Sequence, residues 1–139
     1  MVDSGWSVGF TLKNVGQSEI FQGKTVKFVN YEQMSMNISH WIDSHTAFTP
    51  DKVAIHFEGQ ALTYRQLADQ IGRTAAALQQ LNIQPGDRIA HLGYNSPELL
   101  ILLFACARLG AMLVPLNWRL ATPEQIYISQ NADVSALVV

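Results

Sequence analysis

The sequence predicts an α/β fold: an incomplete parallel β-α-β-α-β layer with flanking helices and one small β-hairpin. Three observations carry this. Segments 88–92, 112–116 and 135–139 read as strands, and the apolar, β-branched run at 135–139 has the composition of a strand covered on both faces. Two helical stretches separate them, and each opens on a Ser/Thr-Pro-Glu triplet, Ser96-Pro97-Glu98 and Thr122-Pro123-Glu124. The connections are short, which for alternating strands and helices implies parallel strands joined by right-handed crossovers.

Residues 1–35 stand apart. They carry several glycines and short β-prone pieces such as Thr25-Val26-Lys27-Phe28-Val29, without sustained periodicity. Two readings stay open. Residues 1–33 are an upstream extension with the native start at Met34 or Met36, which makes 1–35 an N-terminal extension of open status, or the region holds a genuine hairpin. Residues 36–139 form the second region.

From Asn37 the pattern sharpens. Ile38, Trp41, Ile42 and His45 recur at i, i+3, i+4 and i+7, one face of a helix that Asn37 or Ser35 caps. Thr49-Pro50 ends it, because a residue before proline is pushed out of the α region. Val53–Phe57 and Ala61–Tyr64 flank Glu58-Gly59-Gln60 and predict a hairpin. Thr63 and Gln66 form a capping box, followed by an apolar stripe of Leu67, Ile71, Ala75, Leu78 and Leu81. Asn82 and Gln84-Pro85-Gly86-Asp87 stop that helix.

Arg88–Leu92 then predicts a strand, and Gly93-Tyr94-Asn95 a turn. Ser96 caps a helix with proline at its first position, apolar nearly all round to Leu109, with Gly110 beyond its end. Met112–Leu116 predicts a strand and Asn117–Ala121 a loop. Thr122 to Gln125 opens a helix with a capping box and Asn131 ends it. Ser135–Val139 is the third strand.

Composition narrows the function classes. The chain has 139 residues, 48% hydrophobic and 14% charged, which suits a real core. A net charge of −2 leaves no basic footprint for nucleic acid. Arg108, Gly110 and Pro115 interrupt the most apolar stretch, 99–116, so a transmembrane segment is not expected. The single cysteine, Cys106, fits a reducing, cytoplasmic setting.

Chemical motifs are sparse. The turn after 88–92 lacks the further glycines of a dinucleotide loop, and no G-x-x-x-x-G-K-[ST] occurs. The helix start at Ser96 offers free N–H groups to an anion, as every helix start does. His40 and His45 are five apart, off ligand spacing, and His56 and His91 fall in separate strands, so no metal site is expected. His91 reads as a partly buried strand residue. Asp43, Asp69, Glu98 and Glu124 read as helix-surface or first-turn charges. Tyr64, Asn117 and Arg119 are the most suggestive polar residues, since they sit at element ends, where α/β folds build sites. The residues thus assign no catalytic, cofactor-binding or metal-binding position.

Two blocks nevertheless resemble a known family. Leu62-Thr63-Tyr64-Arg65-Gln66-Leu67 is similar to the first core motif of the adenylate-forming, AMP-dependent synthetase/ligase superfamily, with Gln66 where glutamate is usual. Leu109-Gly110-Ala111-Met112-Leu113-Val114-Pro115 resembles the second. Pro115-Leu116-Asn117-Trp118-Arg119-Leu120 looks like the acyl- and aryl-CoA ligases rather than peptide-synthetase adenylation domains. The resemblance covers about 37–139. It implies the start of a large N-terminal domain whose parent joins a carboxylic acid to coenzyme A with ATP and Mg²⁺, through an acyl-adenylate. The family's phosphate loop, acidic magnesium motif, ribose-binding aspartate and C-terminal lysine have no counterpart here. The chain alone is therefore expected to be inactive, with the remainder of the parent enzyme as its partner. An unpaired edge at 135–139 and an uncovered face on helix 99–109 should promote aggregation. The alternative from another class is a stand-alone α/β binding or interaction module.

Overall fold

The computed structural model describes residues 37–139, and residues 18–21 and 24–27 as backbone. The chain divides into two units, Met1–Met36 and Asn37–Val139. In the first, β1 (Ser18–Phe21) and β2 (Lys24–Lys27) form an antiparallel pair, with Ser18 opposite Lys27 and Phe21 opposite Lys24. Met34 and Met36 lie outside the described residues.

The second unit opens with α1 (Ser39–Phe48). The cap position is Ile38, not Asn37 or Ser35, and has no side-chain cap; Asn37, one residue earlier, accepts the Ser39 N–H on its Oδ1 at 3.0 Å. The same side chain donates to the Ala107 carbonyl. The buried face differs from expectation. Ser39 and Ile42 face the core, while Trp41 is 61% exposed and His45 is exposed. The reason is polar. The Asn37–Ala107 bond and an ion pair from Asp43 to Arg108, 2.6 Å, fix the helix's rotation.

Next come β3 (Val53–Phe57) and β4 (Gln60–Thr63), the expected hairpin. Its turn residues Glu58 and Gly59 both have positive φ, 47° and 78°, the backbone twist that matches paired strands. α2 (Tyr64–Gln80) starts on the predicted capping box. Gln66 N–H donates to Thr63 Oγ1 at 3.3 Å, and Thr63 N–H to Gln66 Oε1 at 2.9 Å. Leu67, Ile71, Ala75 and Leu78 are buried, but Leu81 is 71% exposed. Asn82, at φ 59°, turns the chain, and Ile83 takes the core position expected of Leu81 while its N–H bonds the Leu78 carbonyl.

The remaining elements are β5 (Arg88–Leu92), α3 (Pro97–Leu109), β6 (Met112–Leu116), α4 (Thr122–Asn131) and β7 (Ala136–Val138). The three strands are parallel, in the order β6-β5-β7, with Ile89 beside both Leu113 and Ala136. Right-handed crossovers to neighbours on opposite sides of β5 place α3 and α4 on opposite faces of the sheet. α1, α2 and α3 share the main core with β5; Ile71, Ile89 and Cys106 are its largest fully buried side chains.

Gly86-Asp87-Arg88 knots three connections together. Gly86 N–H donates to the Gly110 carbonyl at 2.8 Å. Asp87 Oδ2 accepts the Gln84 N–H at 2.7 Å, and its carbonyl accepts the Met112 N–H at 2.7 Å. Arg88 reaches the end of α4: Nε donates to the Ala132 carbonyl at 3.0 Å, and the guanidinium pairs with Asp133.

Three expectations need correction. Ser96 precedes α3 but makes no side-chain capping bond to the helix. The cap of α4 is Ala121, so the Thr122–Gln125 box is replaced by its reciprocal half, Glu124 Oε2 accepting the Ala121 N–H at 2.9 Å. The uncovered helix is α4, which buries no residue, rather than α3, whose only large exposed apolar side chain is Leu100. Arg108 explains the difference: paired with Asp43, it lets α1 close over an apolar helix that contains a charge. No described helix is long and apolar enough to cross a membrane.

Candidate functional site

A parallel sheet gathers its loops at the carboxyl ends of its strands. Ligand sites form where successive crossovers leave in opposite directions. Here that point lies between β5 and β7. An open concavity of about 850 Å³ occupies it. Its wall includes Arg73 from α2, His91 from β5, Glu98 and Ile101 from α3, and Val138 from β7.

His91 is 9% exposed. Its ring lies across Gly93, where an added Cβ would stand 2.9 Å from the imidazole Cε1. Gly93 is therefore the residue that makes room for the histidine. At the start of α3, the Ser96 hydroxyl and then the Glu98 N–H hold the Glu98 carboxyl below its ordinary range. Glu98 thus occupies the helix start that an external anion would use, so this terminus is not an anion site.

The loops after β5 and β6 meet beside this concavity. The Tyr94 and Trp118 rings are 4.8 Å apart and tilted by 55°. The Arg119 guanidinium lies 5.1 Å from the Trp118 ring. Asn117 shapes the loop: its Oδ1 accepts the Arg119 N–H at 3.0 Å and its carbonyl the Leu120 N–H at 3.1 Å. Gln125, reaching back from α4, donates to the Leu120 carbonyl at 2.9 Å.

Of the three most suggestive residues, the structure brings Asn117 and Arg119 together and leaves Tyr64 elsewhere. Tyr64 stacks on His45 at 4.7 Å, and its carbonyl accepts the Thr46 hydroxyl at 3.2 Å, so it ties α1 to α2. His40 and His56 are exposed. Asp69 pairs with Arg73 at 2.8 Å. Sequence reading missed the Tyr94–Trp118 contact and the reach of Arg88 to Asp133. Both join residues far apart in sequence, and no spacing rule signals such pairs.

These residues do not fit a magnesium–ATP site. Among the described residues no group of three His, Cys, Asp or Glu side chains converges, and Asp43, Asp69 and Glu124 are each engaged by a partner. The loops beside the concavity carry aromatic rings and one guanidinium instead of a run of backbone donors for a triphosphate. The arrangement packs the loops after β5 and β6 against each other.

Comparison with known proteins places this scaffold. The model of the AMP-binding enzyme family matches residues 42–139. An indoleacetate–CoA ligase of Aromatoleum aromaticum is 48% identical over 104 residues, covering 75% of this chain and 20% of that protein. A feruloyl-CoA synthase of an Amycolatopsis species is 36% identical over 104 residues, covering 75% of this chain and 21% of that protein. The N-terminal subdomain of NpsA from Klebsiella oxytoca, solved in complex with anthranilyl-AMSN, superposes with a TM-score of 0.69 at 32% identity, over 73% of this chain and 26% of that one. The chain spans about one fifth of the length of these curated relatives.

Proposed function

The chain belongs to the AMP-binding enzyme family, and we propose that it supplies the opening scaffold of the large N-terminal domain of an AMP-forming acyl- or aryl-CoA ligase. The observation that carries the proposal is the family match over 42–139. It coincides with the α1–β7 unit, in which both resembling blocks are structural joints. The first block is the capping box that starts α2. The second is the exit from α3 into β6.

The proposed whole-enzyme reaction runs in two steps. A carboxylate attacks the α-phosphate of ATP and expels pyrophosphate; the coenzyme A thiol then displaces AMP from the acyl-adenylate. ATP, Mg²⁺ and CoA belong to the whole ligase in this proposal, and no residue of this chain is assigned to them. The named relatives favour an aromatic acid: one is a ligase of indoleacetate, one a synthase of feruloyl-CoA, and the NpsA structure carries an anthranilyl ligand. Residues 1–35, which hold the β1–β2 pair, precede this domain in the chain. The proposed compartment is the cytoplasm, where a lone buried thiol such as Cys106 stays reduced.

The test is a chimera. Residues 37–139 replace the aligned segment of the Aromatoleum aromaticum indoleacetate–CoA ligase, and pyrophosphate exchange with indoleacetate is measured. The expected result is activity within about tenfold of the parent, a loss below about 1.4 kcal/mol in transition-state terms. The isolated chain should show none. A folded but inactive chimera, or exchange by the isolated chain, overturns the proposal.

A further inference from the structure

α1 is fastened differently at its two ends. The carboxyl end is tied through the backbone that follows it. The Tyr64 N–H donates to the Lys52 carbonyl at 3.1 Å and the Arg65 N–H to the Pro50 carbonyl at 3.0 Å, so the 49–52 loop is bound to the start of α2. The Thr46 hydroxyl donates to the Tyr64 carbonyl, and His45 stacks on the Tyr64 ring. The amino-terminal half has two links among the described residues, both through side chains and both to the last turn of α3. Asn37 Nδ2 donates to the Ala107 carbonyl, and Arg108 Nη2 donates to Asp43 Oδ1 at 2.6 Å.

The packing between these ends is thin. α1 lies on α2 and α3 and buries only Ser39 and Ile42, while Trp41 and Phe48 face solvent. Beneath it stands a charge on an otherwise apolar helix. The Arg108 guanidinium passes α2 at Gly72, where an added Cβ would stand 3.6 Å from Nη1. A glycine inside a helix weakens that helix. Here it leaves the space beside the guanidinium free of any side chain.

From these unequal ends we infer that α1 is a strap. It is hinged at 49–52 and latched by the Asp43–Arg108 ion pair. It lifts from α2 and α3 while those helices and the sheet stay closed. Lifting uncovers the seat of Ile42 and frees the Arg108 guanidinium. A helix of ten residues is marginal in water without tertiary contacts, so a lifted α1 unwinds and its amides meet solvent.

Amide hydrogen exchange on the full chain tests this. The 43–48 amides should exchange at least about tenfold faster than those of Ile71, Ile89 and Ala105, three fully buried core residues. Asp43→Asn removes one side of the latch. Arg108→Met removes the other and keeps the apolar stem. Each should speed the 43–48 amides about fivefold further and leave the core amides within about twofold, with the double variant no faster than either single. Raising sodium chloride from about 50 to about 500 mM should speed these amides in the wild-type chain and not in Asp43→Asn. Asp69→Asn breaks the exposed pair with Arg73 on α2 and should leave α1 unchanged. Exchange of 43–48 in step with the core overturns the strap. So does a core that loosens together with α1, an additive double variant, or a wild-type chain indifferent to salt. If a latch variant does not fold, the wild-type rates and their salt response decide alone.

Discussion

Gly110 ends α3 and enters β6, and replacing it with alanine gives the sharpest test of why the family signature has glycine there. Its φ is 72°, the left-handed region. Its N–H bonds the Ala107 carbonyl at 3.2 Å, and the next N–H, of Ala111, bonds the Cys106 carbonyl at 2.9 Å. This double bond pattern requires a left-handed residue between the helix and the next strand. Placing alanine there costs about 1–2 kcal/mol in backbone strain alone. The added Cβ would also stand 3.3 Å from Pro85 Cβ. The backbone has little freedom to relieve that contact, because the Gly110 carbonyl holds the Gly86 N–H at 2.8 Å. Gly59 is the control: its φ is 78°, yet nothing lies within 4 Å of an added Cβ. Gly59→Ala should cost about 1 kcal/mol and Gly110→Ala about 2 kcal/mol. For a folded unit of this size each kilocalorie lowers the melting temperature by roughly 4–8 °C. Far-UV circular dichroism of both variants, melted side by side, reads the difference. Gly110→Ala melting at or above Gly59→Ala would refute the claim that the Pro85–Gly110 joint is tight.

Two further outcomes follow from titratable groups. Burial pushes the Cys106 thiol up to about 11 from its ordinary 9.0. The unfolded thiol ionises first, so the stabilising effect is complete below pH 9 and is lost as pH rises from 9 to 11. The loss amounts to about 2–3 kcal/mol, Cys106→Ala should not show it, and at pH 8 the native thiol should react with a disulfide reagent about 100-fold more slowly than the unfolded one. Equal rates in native and unfolded protein would remove the buried-thiol assignment. Glu98 has the opposite sign. Its carboxyl is held low, chiefly by the Ser96 hydroxyl, so its contribution is present above pH 4.5 and is lost as pH falls through its lowered value. Ser96→Ala should flatten the acid limb of the stability profile; an unchanged limb would show that Ser96 does not anchor Glu98.

The parts of this fold that sequence made legible are those governed by local rules. The Thr63–Gln66 box, the Glu58-Gly59 turn and the Gly110 exit each depend on residues within a few positions of one another, and each forms as its pattern requires. What was not legible depends on partners distant in sequence. α1 shows an apolar face through Trp41 and His45, yet the Asn37 bond to Ala107 and the Asp43 pair with Arg108 turn a neighbouring face inward. Leu81 continues the stripe of α2 by spacing alone, but Asn82 redirects the chain and Ile83 fills the core. At the strand ends, Tyr94 meets Trp118 only because β5 and β6 are neighbours in register, a fact that no local spacing contains.

The resembling block Leu109–Pro115 has a structural reading. Across Leu109–Pro115 several residues answer backbone requirements. Gly110 leaves the helix in the left-handed region and lies against Pro85. Ala111 completes the helix exit, and Met112 makes the first ladder bond, to Asp87. Pro115 closes the outer edge of β6 by lacking a donor. Gly110, Ala111 and Met112 together stop a helix and set the first bond of a strand. Arg88 adds a constraint from the other side, holding the end of α4 where the chain turns into β7 beside β5. The resembling segment therefore fixes how α3 joins β6 and where β6 begins beside β5.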